Sequence, residues 1–381
     1  MAHKQLRNGI SFIGIGLMIV LILSIIVQLE LPRPTGPYPV GRATRHWVDL
    51  SRPEIMTETS DDFREVPVEI WYPAAAATGT PAPYFPNLTQ MASALSASGE
   101  VAPLEVLGLP FIRSQEHLEA ALAHQIVTYP IIIFSPGNGT NVEFYAAIAD
   151  ELASYGYIVI GLNHPYDVAA VALNDNRVAQ FVEGPFEFQA RQTWVQERIA
   201  VRTADVSFVL DQLQRLNVGG DNLLSAHVDL MRMGVMGHSL GGITAAEACR
   251  ARSELRSCIN LDGLQQGGPF SANANPISPS QPFMLITKEK RLAPAIIAMF
   301  AVAQSGSYRV VLLEAQHDSF TDGPLLLPSL LPIPNQADQL LSLIRAYTLA
   351  FFEQTLNQQP SSLLSKPLQG QSVWLEVYPP P

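Results

Sequence analysis

Residues 237–241 place a serine between two glycines, in the order Gly-His-Ser-Leu-Gly. An apolar stretch, residues 231–236, precedes this pattern, and an alanine-rich segment, residues 243–249, follows it. A strand that turns directly into a helix holds the central serine in a strained backbone conformation with its hydroxyl projecting. Glycines on both sides let the neighbouring segments pass closely, because they carry no Cβ. The pattern therefore predicts a strand–turn–helix that presents Ser239 as a nucleophile.

Apolar runs alternate with helical patterns over most of the chain. Strands are predicted at 64–73, 130–134, 157–160, 231–236, 258–261, 283–286 and 308–313. Helices are predicted at about 142–154, 188–216 and 335–356. Nearly uniform apolar strands separated by helices are typical of a mostly parallel sheet covered on both faces. The sequence thus predicts the α/β class and, with the serine turn, the α/β-hydrolase fold.

Residues 10–27 carry no charged side chain and very few polar ones. A helix of that length spans about 27 Å, which is close to the hydrocarbon thickness of a bilayer. No small-residue cleavage site follows the segment. We therefore expect residues 1–30 to form an uncleaved transmembrane signal anchor, with the catalytic part outside the cytoplasm. A cleaved segment and a secreted protein are the alternative.

The rest of the chain divides into a linker and one domain. Residues 31–42 are rich in Pro and Gly and are predicted to link the anchor to a hydrolase domain at 43–381. Residues 84–127 are interpreted as an insertion near the active site. The formal net charge is −11 and no basic cluster occurs, so nucleic acid is not expected as a partner.

A serine hydroxyl needs a base to take its proton. His317 is the one histidine after Ser239, and it follows the last predicted strand. His238 directly precedes the nucleophile and is expected to point away from it, and His164 is expected to lie behind the site. Two acids are candidates to orient the base, Asp262 and Glu289, because each follows a predicted strand. The lysines on both sides of Glu289 indicate a solvated charge and favour Asp262.

Two backbone N–H groups must stabilise the oxyanion of an acyl-transfer reaction. Leu240, the residue after the nucleophile, is the first predicted donor. Asn138, in the Gly-containing loop 135–140, is the second. The chain has no P-loop or dinucleotide pattern and no cluster with metal-ligand spacing, so neither a metal nor another cofactor is expected.

The chain has two cysteines, Cys249 and Cys258. Spacing alone cannot establish a disulfide, and an exported location would permit one. Two buried free thiols are the preferred interpretation.

Several segments together resemble the plasma-type platelet-activating factor acetylhydrolase family of calcium-independent, phospholipase A2-like enzymes. The segments that carry the resemblance are 35–41 (TGPYPVG), 70–73 (IWYP), 134–139 (FSPGNG), 237–242 (GHSLGG), 261–263 (LDG) and 317–320 (HDSF). The resemblance implies Ser239, Asp262 and His317 as the triad and Leu240 and Asn138 as the oxyanion donors. Pro136 departs from the family, whose members often carry histidine there.

This resemblance implies a serine esterase that cleaves short or oxidised acyl esters of phospholipids through an acyl-serine intermediate. An ester or phospholipid substrate and a membrane held through the N-terminal helix are the expected partners. The apolar loop 323–334 is interpreted as an acyl pocket wall or a lipid contact, and core packing under the last helix is the alternative. The alternatives are a hydrolase of soluble or polymeric esters, similar to dienelactone or polyester hydrolases, a peptidase, and a non-catalytic protein of this fold.

Overall fold

The structure is a computed structural model that describes residues 30–59, 61–124, 126–263, 280–291, 294–303, 306–326, 334–366, 368–370 and 372–378. The predicted anchor at residues 10–27 lies outside these residues. Among the helices that are described, none is both long enough and apolar enough to cross a bilayer.

The strands that the structure describes are as follows. They are β1 (Val40–Pro53), β2 (Phe63–Pro73), β3 (Glu116–Leu118), β4 (Tyr129–Ser135), β5 (Ile158–Leu162), β6 (Ala170–Ala172), β7 (Val178–Gln180), β8 (Val228–His238), β9 (Leu255–Leu261), β10 (Phe283–Thr287), β11 (Ser307–Leu312), β12 (Leu368–Gln369) and β13 (Val373–Tyr378).

The α-helices are α1 (Leu88–Ala97), α2 (Pro103–Gly108), α3 (Ala146–Ser154), α4 (Phe188–Leu216), α5 (Leu240–Ala251), α6 (Pro294–Ala301), α7 (Gly323–Leu326) and α8 (Pro334–Thr355). Single turns of 3₁₀ helix occur at Leu109–Phe111, Val142–Tyr145, His317–Phe320 and Ser362–Leu364.

One large sheet organises the described strands, in the order β12-β13-β11-β10-β9-β8-β4-β5-β2-β1-β3. Its middle, from β5 through β4, β8, β9 and β10 to β11, is parallel throughout. Antiparallel pairs flank it, with β2 against β5 on one side and β13 against β11 on the other. Strands β6 and β7 form a separate hairpin. The predicted mixed α/β fold with a large, mostly parallel sheet is confirmed.

Each face of the sheet carries its own apolar core. Successive residues of β4 point to opposite faces, as the period of a strand requires: Ile132 packs in one cluster and Ile133 in the other. Helices α3 and α8 cover the first face, while α4, α5 and α6 cover the second. Burial on both faces explains why these strands read as uninterrupted apolar runs rather than as alternating patterns.

The sequence located the long elements well and missed the edge of the sheet. Helix α4 has the predicted bounds, and α8 begins and ends one residue before its predicted bounds. Strand β1 was not predicted, and it begins at Val40, inside the segment interpreted as a linker. Its arginines and its histidine obscure the apolar alternation in the sequence. In the fold these polar side chains lie beside carboxylates: Arg42 pairs with Glu69, Arg45 pairs with Asp221, and His46 lies next to Glu65.

The prediction of two free thiols was wrong. Cys249 in α5 and Cys258 in β9 form a disulfide, with Cα atoms 6.3 Å apart. The bond ties the helix that follows Ser239 to the strand that ends immediately before Asp262. The segment that follows Ser239 and the strand that precedes Asp262 are therefore covalently linked.

Candidate active site

Ser239 lies at the turn between β8 and α5, in the strained backbone conformation that the sequence predicted. Its φ is 54° and its ψ is −121°, a region that residues with a Cβ rarely occupy. The turn is closely packed, because a Cβ at either Gly237 or Gly241 would overlap the carbonyl oxygen of Ser135. Only glycine fits at these two positions without moving the end of β4.

The base predicted from the sequence is within hydrogen-bonding distance of the serine. His317 Nε2 lies 3.0 Å from Ser239 Oγ, and His317 Nδ1 lies 2.7 Å from Asp262 Oδ2. An ionised carboxylate can only accept hydrogen bonds, so Nδ1 is the protonated nitrogen of the neutral ring. Nε2 then accepts the hydrogen bond of the Ser239 hydroxyl.

Asp262 is fully buried and is held on its second oxygen as well. Its Oδ1 accepts hydrogen bonds from the Thr287 hydroxyl at 2.8 Å and the Lys288 N–H at 3.2 Å. Glu289, the rival candidate, contributes backbone groups: its N–H donates to Thr287 Oγ1, and its carbonyl accepts from Arg309. No hydrogen bond between described residues joins the Glu289 carboxylate to the imidazole. The structure therefore places Asp262, and not Glu289, beside the base.

The loop after β4 holds Asn138 between two anchored neighbours. The Gly137 N–H donates to the Tyr145 hydroxyl at 3.0 Å, and the Gly139 N–H donates to the Asp167 carbonyl at 2.8 Å. Both flanking amides are thus occupied by other groups. No hydrogen bond between described residues uses the Asn138 N–H, so this amide remains the predicted oxyanion donor of the loop.

Leu240 is the first residue of α5. An N–H in the first turn of a helix has no partner within that helix, and the helix dipole favours negative charge there. The predicted pair of oxyanion donors therefore comes from a helix start and an adjacent, fixed loop.

His238 points away from the serine hydroxyl, but it supports the base. Its ring lies 4.5 Å from the His317 ring, measured between centroids, and it stacks on Phe320 at 5.7 Å. Its Nδ1 lies 2.9 Å from the Tyr145 hydroxyl, which accepts the Gly137 N–H. Burial, and secondarily the neighbouring His317, hold the pKa of His238 well below its usual value. The ring is therefore neutral, and the tautomer of the imidazole decides which of the two groups donates the hydrogen bond between them.

A second Ser–His–Asp arrangement lies behind the oxyanion loop, and sequence reasoning found only its histidine. Ser135 Oγ is 2.9 Å from His164 Nε2, and His164 Nδ1 is 2.8 Å from Asp205 Oδ2. Burial lowers the pKa of His164 to about 4. Burial alone would raise the pKa of Asp205, but Arg64 and the bond from His164 hold it far below its usual range. No local pattern joins residues so distant in sequence.

A group of buried carboxylates lies close to the base loop. Its members are Glu69, Glu116, Glu143, Asp150 and Asp322. Arg42, also buried, pairs with Glu69 at 2.9 Å and lies 3.9 Å from Glu116. Burial, followed by the charges of neighbouring carboxylates, raises the pKa values of Glu69, Asp150 and Asp322. The same causes raise the pKa of Glu143 to about 7. One buried arginine cannot neutralise five carboxylates, so some of them remain protonated near neutral pH.

Asp322 connects this group to the site, since it follows the 3₁₀ turn His317–Phe320 closely. Its N–H donates to the Phe144 carbonyl at 2.7 Å. Its carboxyl group accepts from the Tyr84 hydroxyl at 3.1 Å and from the Ala147 N–H at 3.4 Å. Burial raises the pKa of Asp322 to about 8. The segment that carries the base is therefore fastened to the start of α3 by a carboxyl that is protonated at neutral pH.

Part of the segment interpreted as an insertion, 84–127, lies against the oxyanion loop. The side chain of Glu100, between α1 and α2, packs on Gly139. Leu104, Leu107 and Phe111 follow it and are 73%, 69% and 51% exposed. By contrast, Leu326 in the loop 323–334 is 8% exposed and packs in the core, and residues 327–333 lie outside the described part.

Over the described stretches of the chain, no group of three or more His, Cys, Asp or Glu side chains could hold a metal ion. This covers the buried carboxylates near Asp322.

The sheet order, the serine turn after β8 and the hydrogen-bonded Ser239–His317–Asp262 chain define the class, a protein of the α/β-hydrolase fold with a serine-hydrolase type of site. A solved ferulic acid esterase from Streptomyces cinnamoneus has the same fold, with a TM-score of 0.71 and 26% identity. The match covers 90% of this chain and 97% of the esterase.

The sequence profile of the family "Platelet-activating factor acetylhydrolase, isoform II" matches residues 24–336, which is most of the chain. The chain belongs to this family. The resemblance predicted from the sequence is thereby confirmed.

Two curated relatives illustrate the likeness. A platelet-activating factor acetylhydrolase from Gallus gallus is 26% identical over 224 residues, which cover 51% of this chain and 53% of the relative. A probable 1-alkyl-2-acetylglycerophosphocholine esterase from Arthroderma benhamiae is 28% identical over 155 residues, or 41% of this chain and 36% of the relative. The matched region thus spans between about a third and about half of the length of these relatives.

The raised pKa of Asp322 predicts how stability depends on pH. A free aspartate titrates near pH 4, so between about pH 4 and 8 the folded protein holds a proton that the unfolded chain has lost. The stabilisation is complete below pH 4 and is lost as the pH rises through about 8. Asp322→Asn should flatten this dependence, by an amount on the order of 1–3 kcal/mol between pH 5 and 8.

Urea unfolding of both proteins across this pH range measures the difference. Asp318→Asn is the matched control, because Asp318 is exposed in the same loop. An Asp322→Asn variant whose stability falls with pH as steeply as the wild type would contradict the assignment.

Proposed function

We propose that the protein is a serine ester hydrolase that cleaves short or oxidised acyl esters of phospholipids through an acyl-serine intermediate. The observation that carries the proposal is the hydrogen-bonded chain from Ser239 Oγ through the His317 imidazole to Asp262. Membership of the platelet-activating factor acetylhydrolase family and the names of the two curated relatives support the choice of substrate.

In the acylation step, Ser239 Oγ attacks the ester carbonyl carbon while its proton passes to His317 Nε2. The charge that develops on the carbonyl oxygen is stabilised by the N–H groups of Leu240 and Asn138. Asp262 holds the imidazole in the required tautomer and stabilises the imidazolium that forms. The tetrahedral intermediate then collapses, and His317 returns the proton to the leaving alkoxide.

In the second step, water attacks the acyl-serine under the same base. His317 takes a proton from the water, the same two N–H groups hold the second oxyanion, and Ser239 Oγ leaves with that proton. The two steps together consume one ester and one water and release an alcohol and a carboxylic acid. The chain's own residues supply every proton transfer.

The surface beside the oxyanion loop supports a lipid substrate. Glu100 contacts Gly139 in that loop, and the exposed Leu104, Leu107 and Phe111 follow it on and after α2. Clustered large apolar side chains at a surface mark sites that bind apolar partners. These exposed apolar side chains, next in sequence to a residue that contacts the oxyanion loop, offer a surface for the acyl chains of a lipid aggregate.

A hydrolase of soluble or polymeric esters is the second candidate. The observation that favours it is the likeness to the ferulic acid esterase, which extends over 97% of that chain. A substrate panel separates the two candidates. Turnover of short-acyl or oxidised phospholipid vesicles should exceed that of aryl and polymeric esters, whereas the reverse order would establish the second candidate.

Ser239→Ala should abolish both ester turnover and covalent labelling by a fluorophosphonate, because the Ser239 hydroxyl is the group hydrogen-bonded to His317 Nε2. The measurement is hydrolysis of a short-acyl phospholipid together with in-gel fluorescence of the labelled protein. Ser135→Ala is the control: Ser135 is fully buried and out of reach of the probe, so this variant should still be labelled at Ser239. Persistent turnover by Ser239→Ala would refute the proposal.

The choice of acid has its own test. Asp262→Asn removes the acceptor that fixes the imidazole tautomer and should lower kcat by about 10³–10⁴-fold. Glu289→Gln, a change of the same kind one strand away, should leave kcat within about twofold of the wild type. A larger loss of kcat in Glu289→Gln than in Asp262→Asn would show that Glu289, and not Asp262, orients the imidazole.

We further propose that residues 10–27 anchor the protein in a membrane with the hydrolase domain outside the cytoplasm. The support is the uncharged sequence of that segment together with the Cys249–Cys258 disulfide, since disulfides persist in oxidising compartments. The full chain should stay with membranes after an alkaline carbonate wash, while a chain lacking residues 1–29 should be released. Release of both the full and the shortened chain would contradict the proposed anchor.

A further inference from the structure

Arg202 lies on α4 and reaches the oxyanion loop from behind. Its Nη1 donates to the Pro136 carbonyl at 2.8 Å, and its Nη2 donates to the Asp167 carbonyl at 3.2 Å. Its Nε donates to the Asp167 carboxylate, also at 3.2 Å. The Asp167 carbonyl accepts the Gly139 N–H as well. One guanidinium therefore fixes both sides of Asn138, directly at Pro136 and through Asp167 at Gly139.

The surroundings of Arg202 argue against a role in packing alone. Both Arg202 and Asp167 are fully buried. A buried ion pair contributes little net stability, because removing two charges from water costs about as much as their attraction returns. A guanidinium does offer a rigid fork of donors that can satisfy two carbonyls and a carboxylate at once. What this arrangement supplies is a defined loop geometry.

We propose that Arg202 is a positioning residue for the oxyanion hole, setting the direction of the Asn138 N–H through Pro136 and Asp167. The inference rests on the proposed esterase function and assigns a role within it. Removing a single oxyanion donor costs about 10²–10³-fold in kcat. Misdirecting one without removing it should cost less, about 10–100-fold.

The test is Arg202→Lys, which keeps the charge but cannot reach both carbonyls and the carboxylate together. Arg42→Lys is the matched control. Arg42 is equally buried and also binds one carboxylate, Glu69, and two carbonyls, those of Pro83 and Tyr84, away from the oxyanion loop. For each protein, kcat and KM are measured with p-nitrophenyl acetate, and Ki with a trifluoromethyl ketone.

The ketone adds to the serine and places an oxyanion between the two donors, as the ester does in its transition state. In Arg202→Lys, kcat should fall about 10–100-fold and Ki should rise by the same factor, while KM stays within about threefold. Arg42→Lys should leave both kcat and Ki within about threefold of the wild type. Loss of folded protein alone would lower the apparent kcat but leave Ki unchanged.

Asp167→Asn provides the second variant, since it keeps Arg202 and weakens only one of its three contacts. It should move kcat and Ki together by a smaller factor. The proposal is overturned if folded Arg202→Lys and Asp167→Asn keep the wild-type Ki, or if Arg42→Lys raises Ki as much as Arg202→Lys. Complete fluorophosphonate labelling of Ser239 in these variants shows that the esterase assignment stands even where the role of Arg202 fails.

Discussion

The site depends on backbone segments that touch where no side chain intervenes. The loops after β4, β8 and β9 are adjacent because those three strands are neighbours in the parallel part of the sheet. Gly237 and Gly241 lie against the Ser135 carbonyl, and Gly263 lies against the Ser239 carbonyl. A methyl group at any of these positions would force two loops apart. Since the oxyanion loop, the nucleophile and Asp262 each occupy one loop, the spacing of the reacting groups follows from these contacts.

The parts of the site that the sequence predicted are those with local requirements. A serine with positive φ between a strand and a helix needs glycines at fixed offsets, and residues 237–241 display them directly. His317 was predicted as the base because it is the one histidine after that turn, and the structure places it 3.0 Å from the Ser239 hydroxyl. The choice between Asp262 and Glu289 was harder, because both follow parallel strands that end at the same edge. Burial and the positive φ of Asp262 distinguish them, and neither property can be read from residue type.

The features that the sequence did not reveal depend on distant partners. Strand β1 contains Arg42, Arg45 and His46, and these side chains make its sequence resemble a polar linker. Their partners Glu69, Glu119 and Glu65 are distant in sequence and lie beside them only in the folded protein. The Cys249–Cys258 bond requires a helix to lie along the next strand, a packing relation that spacing does not contain. The burial of the carboxylates around Arg42 could not be predicted either, because Asp and Glu are usually exposed and their sequence positions do not show that they are enclosed.

The two Ser–His–Asp arrangements show that the constellation alone does not make a nucleophile. Both have similar distances and allow the same tautomer: in each, a carboxylate accepts a hydrogen bond from Nδ1–H, and Nε2 accepts one from a hydroxyl. Ser135, however, ends a regular strand and is fully buried, as is His164, so no ester can reach it. Ser239 is raised on a strained turn, and the His317 side chain is 32% exposed. Access and backbone strain therefore separate the two, and the buried set serves to hold the end of β4 from which the oxyanion loop departs.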